Sequence, residues 1–437
     1  MRKMYNYGDN WIGNIPVEWD VVPLKSLFSF GKGLPITKAD LKEEGVPVIS
    51  YGQIHAKFNT GTYVNENLIR YVDRDYLHTN PESLTKKNDF LVADTSEDLS
   101  GCGNCVYVDK NIQLFAGYHT IILRSLKNKD NKYLAYLFRT DAWRSQIRES
   151  LTDVKLFSIS KKVLKTTSVI LPSDDEQRYI VEYLDSQCGS IDEAISRHQT
   201  IIEKLEVYRK AVITHTVTKG LNPDAEMLKT GDKYFSAIPC GCELRRNKFV
   251  FRIKKDIAGR DGLTVLSITQ KGIVPKNIDS NEGQLAESYT NYQLVETGDF
   301  AMNHMDLLTG WIDISKYSGV TSPDYRVFVL REPENHYAKY FLYTMQMCYL
   351  NRIFYSLGAG VSGFGRWRLQ APAFNNFKIP VPPKSEQIEI ATYLDDKCAK
   401  VEEAIARQKY AIAKLEEYRK SIIYSAVTGK IDCRIGE

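Results

Sequence analysis

No run of about 18 apolar residues, the length a membrane-spanning helix requires, occurs in the sequence, and residues 1–14 hold no apolar core of a secretory signal. A soluble, cytoplasmic protein is expected. Neither sign of charge dominates: 58 Lys and Arg against 54 Asp and Glu leave a formal net charge of +4. That balance neither requires nor excludes a nucleic-acid partner, so the distribution of charge has to decide. Low-complexity and disorder-prone segments are absent. At 437 residues, 43% of them hydrophobic, the chain is long enough for two or more domains with real cores.

Catalytic signatures are missing as well. There is no Walker motif, no glycine-rich cofactor fingerprint after a strand, and no Asn-Pro-Pro-aromatic or Asp-Pro-Pro-Tyr motif of an amino-methyltransferase. Pro223-Asp224 and Pro323-Asp324 could open a metal-dependent nuclease motif, but no acid-x-Lys follows either in range. The seven histidines are scattered without a ligand or triad spacing. An enzyme would have to assemble its site from residues far apart in sequence. The eight cysteines include one pair at metal-ligand spacing, Cys102 and Cys105, which is half of a zinc site; Cys240 and Cys242 lie far downstream. Free thiols of a reducing compartment, and no metal, are expected.

What is present is a repeat. Residues 176–218 recur as 386–428, an offset of 210, with roughly half the aligned positions identical. Shared segments include Glu-Gln at 176/177 and 386/387, Tyr-Leu-Asp ending at Asp185 and Asp395, and Tyr-Arg-Lys ending at Lys210 and Lys420. Apolar residues recur in heptad rows. One copy carries Leu184, Ile191, His198 and Leu205 with Ile195 and Ile202; the other carries Leu394, Val401, Gln408 and Leu415 with Ile405 and Ile412. Each copy reads as one long coiled-coil helix, with His198 and Gln408 as polar residues in the core row that set register. Ser173-Asp-Asp-Glu176 resembles a capping box, Pro382-Pro383 precedes the second helix, and Gly220 and Gly429 mark the ends. About 42 residues at ~1.5 Å each make a rod of roughly 63 Å.

The repeats divide the chain into residues 1–172, the helix 173–221, residues 222–382 and the helix 383–437. Both non-repeated segments share an outline: an Ile-Pro step at 15–16 and 238–239, strands near Val46 to Ser50 and Leu263 to Ile268, and Asp-Phe leading a strand at 89–90 and 299–300. Further strands are expected at 119–124 and 325–331, single helical stretches at 133–151 and 337–355, and last strands at 168–171 and 377–381. The fold class is therefore α+β: two mixed α/β domains of one fold, separated by two long helices. One scaffold kept twice beneath two different surfaces suggests two readers of different targets.

Acid-free windows supply candidate contacts. Residues 46–65, 154–173, 262–278 and 336–384 hold no Asp or Glu. A phosphate backbone repels carboxylates, while Lys, Arg, Gln and Asn also read base edges. Partly buried strands and helices lack acids for a simpler reason; four windows at corresponding places favour a nucleic-acid face. The candidates are Tyr51, Gln53, His55, Lys57, Lys155 and Lys161 in the first domain. In the second they are Gln270, Lys271, Asn303, His304 and a glycine-rich hairpin through Gly363 that presents Arg366, Trp367 and Arg368.

The order variable domain, repeat, variable domain, repeat resembles the specificity subunits of type I restriction-modification systems. So do Pro382-Pro-Lys-Ser-Glu-Gln387 leading into Tyr-Leu-Asp, and Leu415-Glu-Glu-Tyr-Arg-Lys-Ser421. The first repeat departs slightly, with Ser173-Asp-Asp at its start and Val207 opposite Glu417. The resemblance implies a non-catalytic subunit whose target recognition domains each bind one half of a bipartite, asymmetric double-stranded DNA site. It implies helices that pair antiparallel, with pseudo-two-fold symmetry, and fix the spacer. Two methyltransferase subunits, and two motor-endonuclease subunits for restriction, would be the partners, and S-adenosylmethionine, ATP and magnesium would belong to them. A self-contained modification or restriction enzyme and a structural coiled-coil adaptor are the alternatives.

Overall fold

The computed structural model describes residues 2–8, 11–127, 129–151, 157–278, 286–360 and 367–434. Two compact units emerge, one of residues 1–197 with 410–437 and the other of residues 198–409. The boundary runs through the long helices, so each unit holds one α/β body and a part of both. The helices span Asp174–Lys219 and Lys384–Val427, 46 and 44 residues.

Their ends explain several repeated residues. Gln177 and Gln387 donate from Nε2 to the carbonyls of Pro172 and Pro382, each at 2.8 Å, tying the first turn to the strand before it. Gly220 and Gly429 adopt φ of +72° and +70°, the left-handed conformation that ends a helix without a Cβ penalty. The expected capping box is only half made. Ser173 Oγ accepts from the Glu176 amide at 3.4 Å, but the Glu176 carboxylate is buried, accepts from Trp19 Nε1 at 2.9 Å and pairs with Arg2. A buried carboxylate needs charged or N–H partners more than a helix start needs a second cap.

The first unit is built on a four-stranded antiparallel sheet, in the order 28–30, 120–125, 90–93, 105–107. The second repeats that order with 251–254, 326–330, 300–302, 312–314. In each unit another strand pair, 20–23 with 168–171 or 243–246 with 378–381, delivers the chain to its long helix. The cores are continuous with the helices. Phe28, Phe90, Tyr107, Phe138 and Trp143 pack with Ile180, Leu184, Ile422 and Val427 in one. Phe251, Phe300, Phe328 and Phe341 pack with Ile213, Val217, Ile390 and Leu394 in the other. At ~25 cal/mol per Å² of apolar surface, such burial dominates the stability of the junction.

The expected single helices at 133–151 and 337–355 are each broken. Thr140 caps a new helix, Asp141–Arg148, after Lys132–Phe138, its Oγ1 accepting from the Trp143 amide at 3.2 Å. In the second unit Arg352, at φ +56°, separates Ala338–Leu350 from Ile353–Ser356.

The helix seam is antiparallel. Asp192 pairs with Arg419 in the first unit; in the second, His198 Nδ1 lies 2.6 Å from Gln408 Oε1 and Arg209 lies 3.7 Å from Glu402. Advancing along one helix retreats along the other. Asp192 and Glu402, like Arg209 and Arg419, are repeat equivalents, so one ion pair is made twice. Leu184, Ile191, Leu394, Val401 and Ile405 are buried, whereas Ile195, Ile202, Leu205, Ile412 and Leu415 are half-buried, because two helices alone cover only one stripe of each other.

Candidate nucleic-acid interface

In the first unit a cleft of about 1340 Å³ brings together Tyr51, His55 and Lys57 of the sequence candidates with Arg139, Arg144, Arg419 and Lys420. Tyr51 begins the short helix Tyr51–Ile54 and packs edge-on against Tyr118 and His119, with ring centroids 5.5 and 5.3 Å away. Such a cluster offers faces on which a base can stack. His55 is committed internally: Nε2 lies 2.8 Å from the Thr95 carbonyl and Nδ1 lies 3.0 Å from Asn104 Nδ2. Gln53 is committed too, its Oε1 accepting from the Ser50 amide at 3.1 Å to complete a cap. Lys57 is exposed.

The acids in the lining are mostly engaged. Asp98 accepts from Ser100 Oγ and the Gly101 amide at 2.6 and 2.7 Å, and the Ser100 bond foremost holds its carboxyl below the usual range. Asp141 lies 3.0 Å from Arg148. Burial lowers the pKa of both Arg139 and Arg144, the latter to about 10. Lys161 starts a short helix outside the cleft lining, and Lys155 lies outside the described residues.

In the second unit, Gln270 and Lys271 form the turn of a hairpin, 266–269 with 272–275. Gly272 is required there: it has φ +105°, and a Cβ would lie 2.5 Å from Asp313 Oδ2. Gln270 Nε2 donates to the Thr309 carbonyl at 3.2 Å; Lys271 is exposed. Asn303, His304, Trp367 and Arg368 converge at the base of the glycine-rich segment. Leu369 N donates to the His304 carbonyl at 3.0 Å, Arg368 N to that of Ala359 at 3.2 Å, and Trp367 Nε1 to that of Tyr355 at 2.7 Å. Asn303 Oδ1 accepts from the amides of Met305 and Asp306, at 3.2 and 3.3 Å. Gly363 and Arg366 lie outside the described residues.

Sequence reading missed the residue that braces this base. Arg326 is 5% exposed, donates from Nη2 to the Leu369 carbonyl at 2.9 Å and lies 4.8 Å over the Phe374 ring. Register places it beside Phe328 opposite Met302, where the first unit has Ile121 opposite Val92. No periodicity could flag a charge at an inward strand position. Burial foremost, then Arg326 and Arg368, pull the His304 imidazole down to about 3.

The windows are partly a burial effect. Residues 46–49 form a strand inside the first unit, and much of 338–350 is a buried helix, so acids are excluded there by desolvation. The cysteines are free, and burial pushes the Cys105 and Cys242 thiols up to about 11 and about 12. Among the described residues no three His, Cys, Asp or Glu side chains converge as a metal site.

A family model described as type I restriction modification DNA specificity domain matches residues 16–207 and 279–409. The type I restriction enzyme MjaVIII specificity subunit of Methanocaldococcus jannaschii is 24% identical over 229 residues, covering 50% of this chain and 52% of that protein. The StySPI specificity subunit of Salmonella potsdam is 23% identical over 216 residues, 48% and 44% of the two chains. The chain thus spans about half the length of the curated relatives it matches. A solved chain, described with the complex assembly and conformational transition of the type I R-M system, superposes with a TM-score of 0.66 over 95% of this chain and 99% of that one, at 15% identity. That likeness shows the fold.

Proposed function

This chain belongs to the type I restriction modification DNA specificity family, and from that premise we propose that it is the DNA-recognition subunit of a type I restriction-modification complex. Each α/β unit contacts one half of a bipartite, asymmetric double-stranded site, and the long helices set the spacer and recruit two methyltransferase subunits. Two motor-endonuclease subunits join for restriction. Recognition, not catalysis, falls to this chain; S-adenosylmethionine, ATP and magnesium act in the partners, and the assembly works in the cytoplasm.

The observation that carries the reading is a division of labour between repeated and unrepeated residues. Asp185 accepts from Tyr136 Oη at 2.6 Å and from Lys132 Nζ at 2.6 Å; Asp395 accepts from Tyr343 Oη at 2.7 Å and from Lys339 Nζ at 2.6 Å. The same clamp thus fastens each domain to its helix. Away from the clamp the surfaces differ: an aromatic and basic cleft in one unit, a hairpin turn and a braced loop base in the other. A common scaffold beneath two dissimilar polar faces suits two half-sites of different sequence.

Exchanging the first domain for that of another family member, and mapping methylated sites in the host genome, tests this. One half-site should change while the other half and the spacer persist. Change in both halves, or in neither, contradicts the assignment. DNA modification by the purified chain with cofactor and metal would establish the self-contained enzyme instead, and an assembled complex without salt-dependent DNA binding would establish the adaptor.

A further inference from the structure

The internal repeat separates charges that serve the scaffold from charges that do not. On the first unit's helix Lys132–Phe138, Lys132, Tyr136 and the C-cap residue Arg139, still in helical backbone conformation, lie at i, i+4 and i+7, along one face. On the second unit's helix Ala338–Leu350 the same face carries Lys339, Tyr343 and Gln346. Lysine and tyrosine make the aspartate clamp in both units. The third position differs. Gln346 is neutral and donates from Nε2 to the Ile312 carbonyl at 3.1 Å. Arg139 has neither an ion pair nor a side-chain hydrogen bond among the described residues, and Arg144 makes only a hydrogen bond from Nε to the Phe138 carbonyl, at 2.8 Å.

Two half-buried guanidinium groups without an ion-paired carboxylate are costly to keep, since burial disfavours their charge and the carboxylates of Asp192 and Asp141 offset it only in part. The clamp does not require Arg139, because the second unit makes the same clamp with a glutamine in its place. Both arginines line the cleft, as does Lys420 of the second long helix, exposed and likewise without an ion pair among the described residues. Glu97 is the acid of the lining left without a partner among the described residues. At about 1340 Å³ the space exceeds the roughly 300–1,000 Å³ of a small-molecule pocket and suits a length of polymer.

We propose that Arg139 and Arg144 of the first domain, with Lys420 of the second long helix, grip the phosphate backbone of DNA in this cleft, so that the helix holds DNA as well as spacing it. This rests on the DNA-recognition reading above. Arginine forks match phosphate oxygens, and phosphate contacts fix orientation without reading sequence.

The test is a salt titration of duplex binding by the chain assembled with its methyltransferase subunits. It compares wild type with Arg139→Gln, Arg144→Gln and Lys420→Gln. Each substitution should lower the slope of log affinity against log salt by about 1 and weaken cognate and non-cognate duplexes several-fold alike. Arg139→Lys should restore the slope. Arg407→Gln, at an exposed arginine paired with Glu403, is the control that keeps it. Lys420→Gln sits at an exposed helical position and carries the test if an arginine variant fails to assemble. Wild-type slopes in the variants overturn the inference while leaving the recognition reading intact, as does a loss confined to the cognate sequence, which marks a base contact. A wild-type complex with no salt-dependent DNA binding overturns both.

Discussion

Asp185 and Asp395 show, at the scale of single residues, what the doubled Tyr-Leu-Asp triplet does. Each takes one tyrosine hydroxyl and one lysine from the domain helix packed on it. A hydrogen bond to a charged group contributes roughly 1.5–3 kcal/mol, and the lysines are partly exposed and add less. Tyr136→Phe and Tyr343→Phe should therefore each destabilise their own unit by about 1.5–2 kcal/mol in urea unfolding, with similar losses in the two. A large loss in one and none in the other would mean the clamps are not equivalent. His304 carries a pH signature. It stays neutral in the folded unit down to about 3, against an ordinary value of 6.5, so the unfolded chain binds more protons between those limits. Stability should fall as pH drops through that window, by at most about 1.4 kcal/mol per pH unit from this residue. His304→Gln should flatten the profile of unfolding free energy between pH 6.5 and 4.5; an unchanged slope would show that His304 protonates in place.

Among the elements, the two long helices were legible because a heptad pattern repeated 210 residues apart leaves little else to form. His198 and Gln408 were singled out by polarity in an apolar row, and they meet at 2.6 Å. Replacing either with leucine should cost about 1 kcal/mol by stranding its partner, whereas the double leucine variant should recover or exceed wild-type stability while loosening register. Additive single losses in the double-mutant cycle would show that the two do not interact. Other elements were harder to read. Thr140 and Arg352 break helices whose apolar pattern continues across the break; a cap made by the Thr140 side chain and a left-handed backbone at Arg352 each leave the period intact. The strands were placed to within a few residues by apolar runs. The cleft was not legible, since Lys57, the pair Arg139 and Arg144, and Lys420 are far apart in sequence and line one cleft only after folding. Acid-poor windows located its Tyr51 and Lys57 rim while also marking buried strands, because desolvation and phosphate both exclude carboxylates.

For the whole molecule, the central claim is that the α/β units determine which bases are bound and the helices determine how far apart. One heptad inserted at facing points of the two antiparallel long helices adds about 10 Å of helix at ~1.5 Å per residue, which corresponds to at most about three base pairs at ~3.4 Å each. Keeping the insertion in both strands of the seam preserves the a and d rows, so the polar pair and the flanking ion pairs can still form. Methylation mapping of a host genome carrying this variant with its methyltransferase subunits tests the claim most directly. The account predicts both half-sites unchanged and a spacer longer by one to about three base pairs; an unchanged spacer, or an altered half-site, would contradict it.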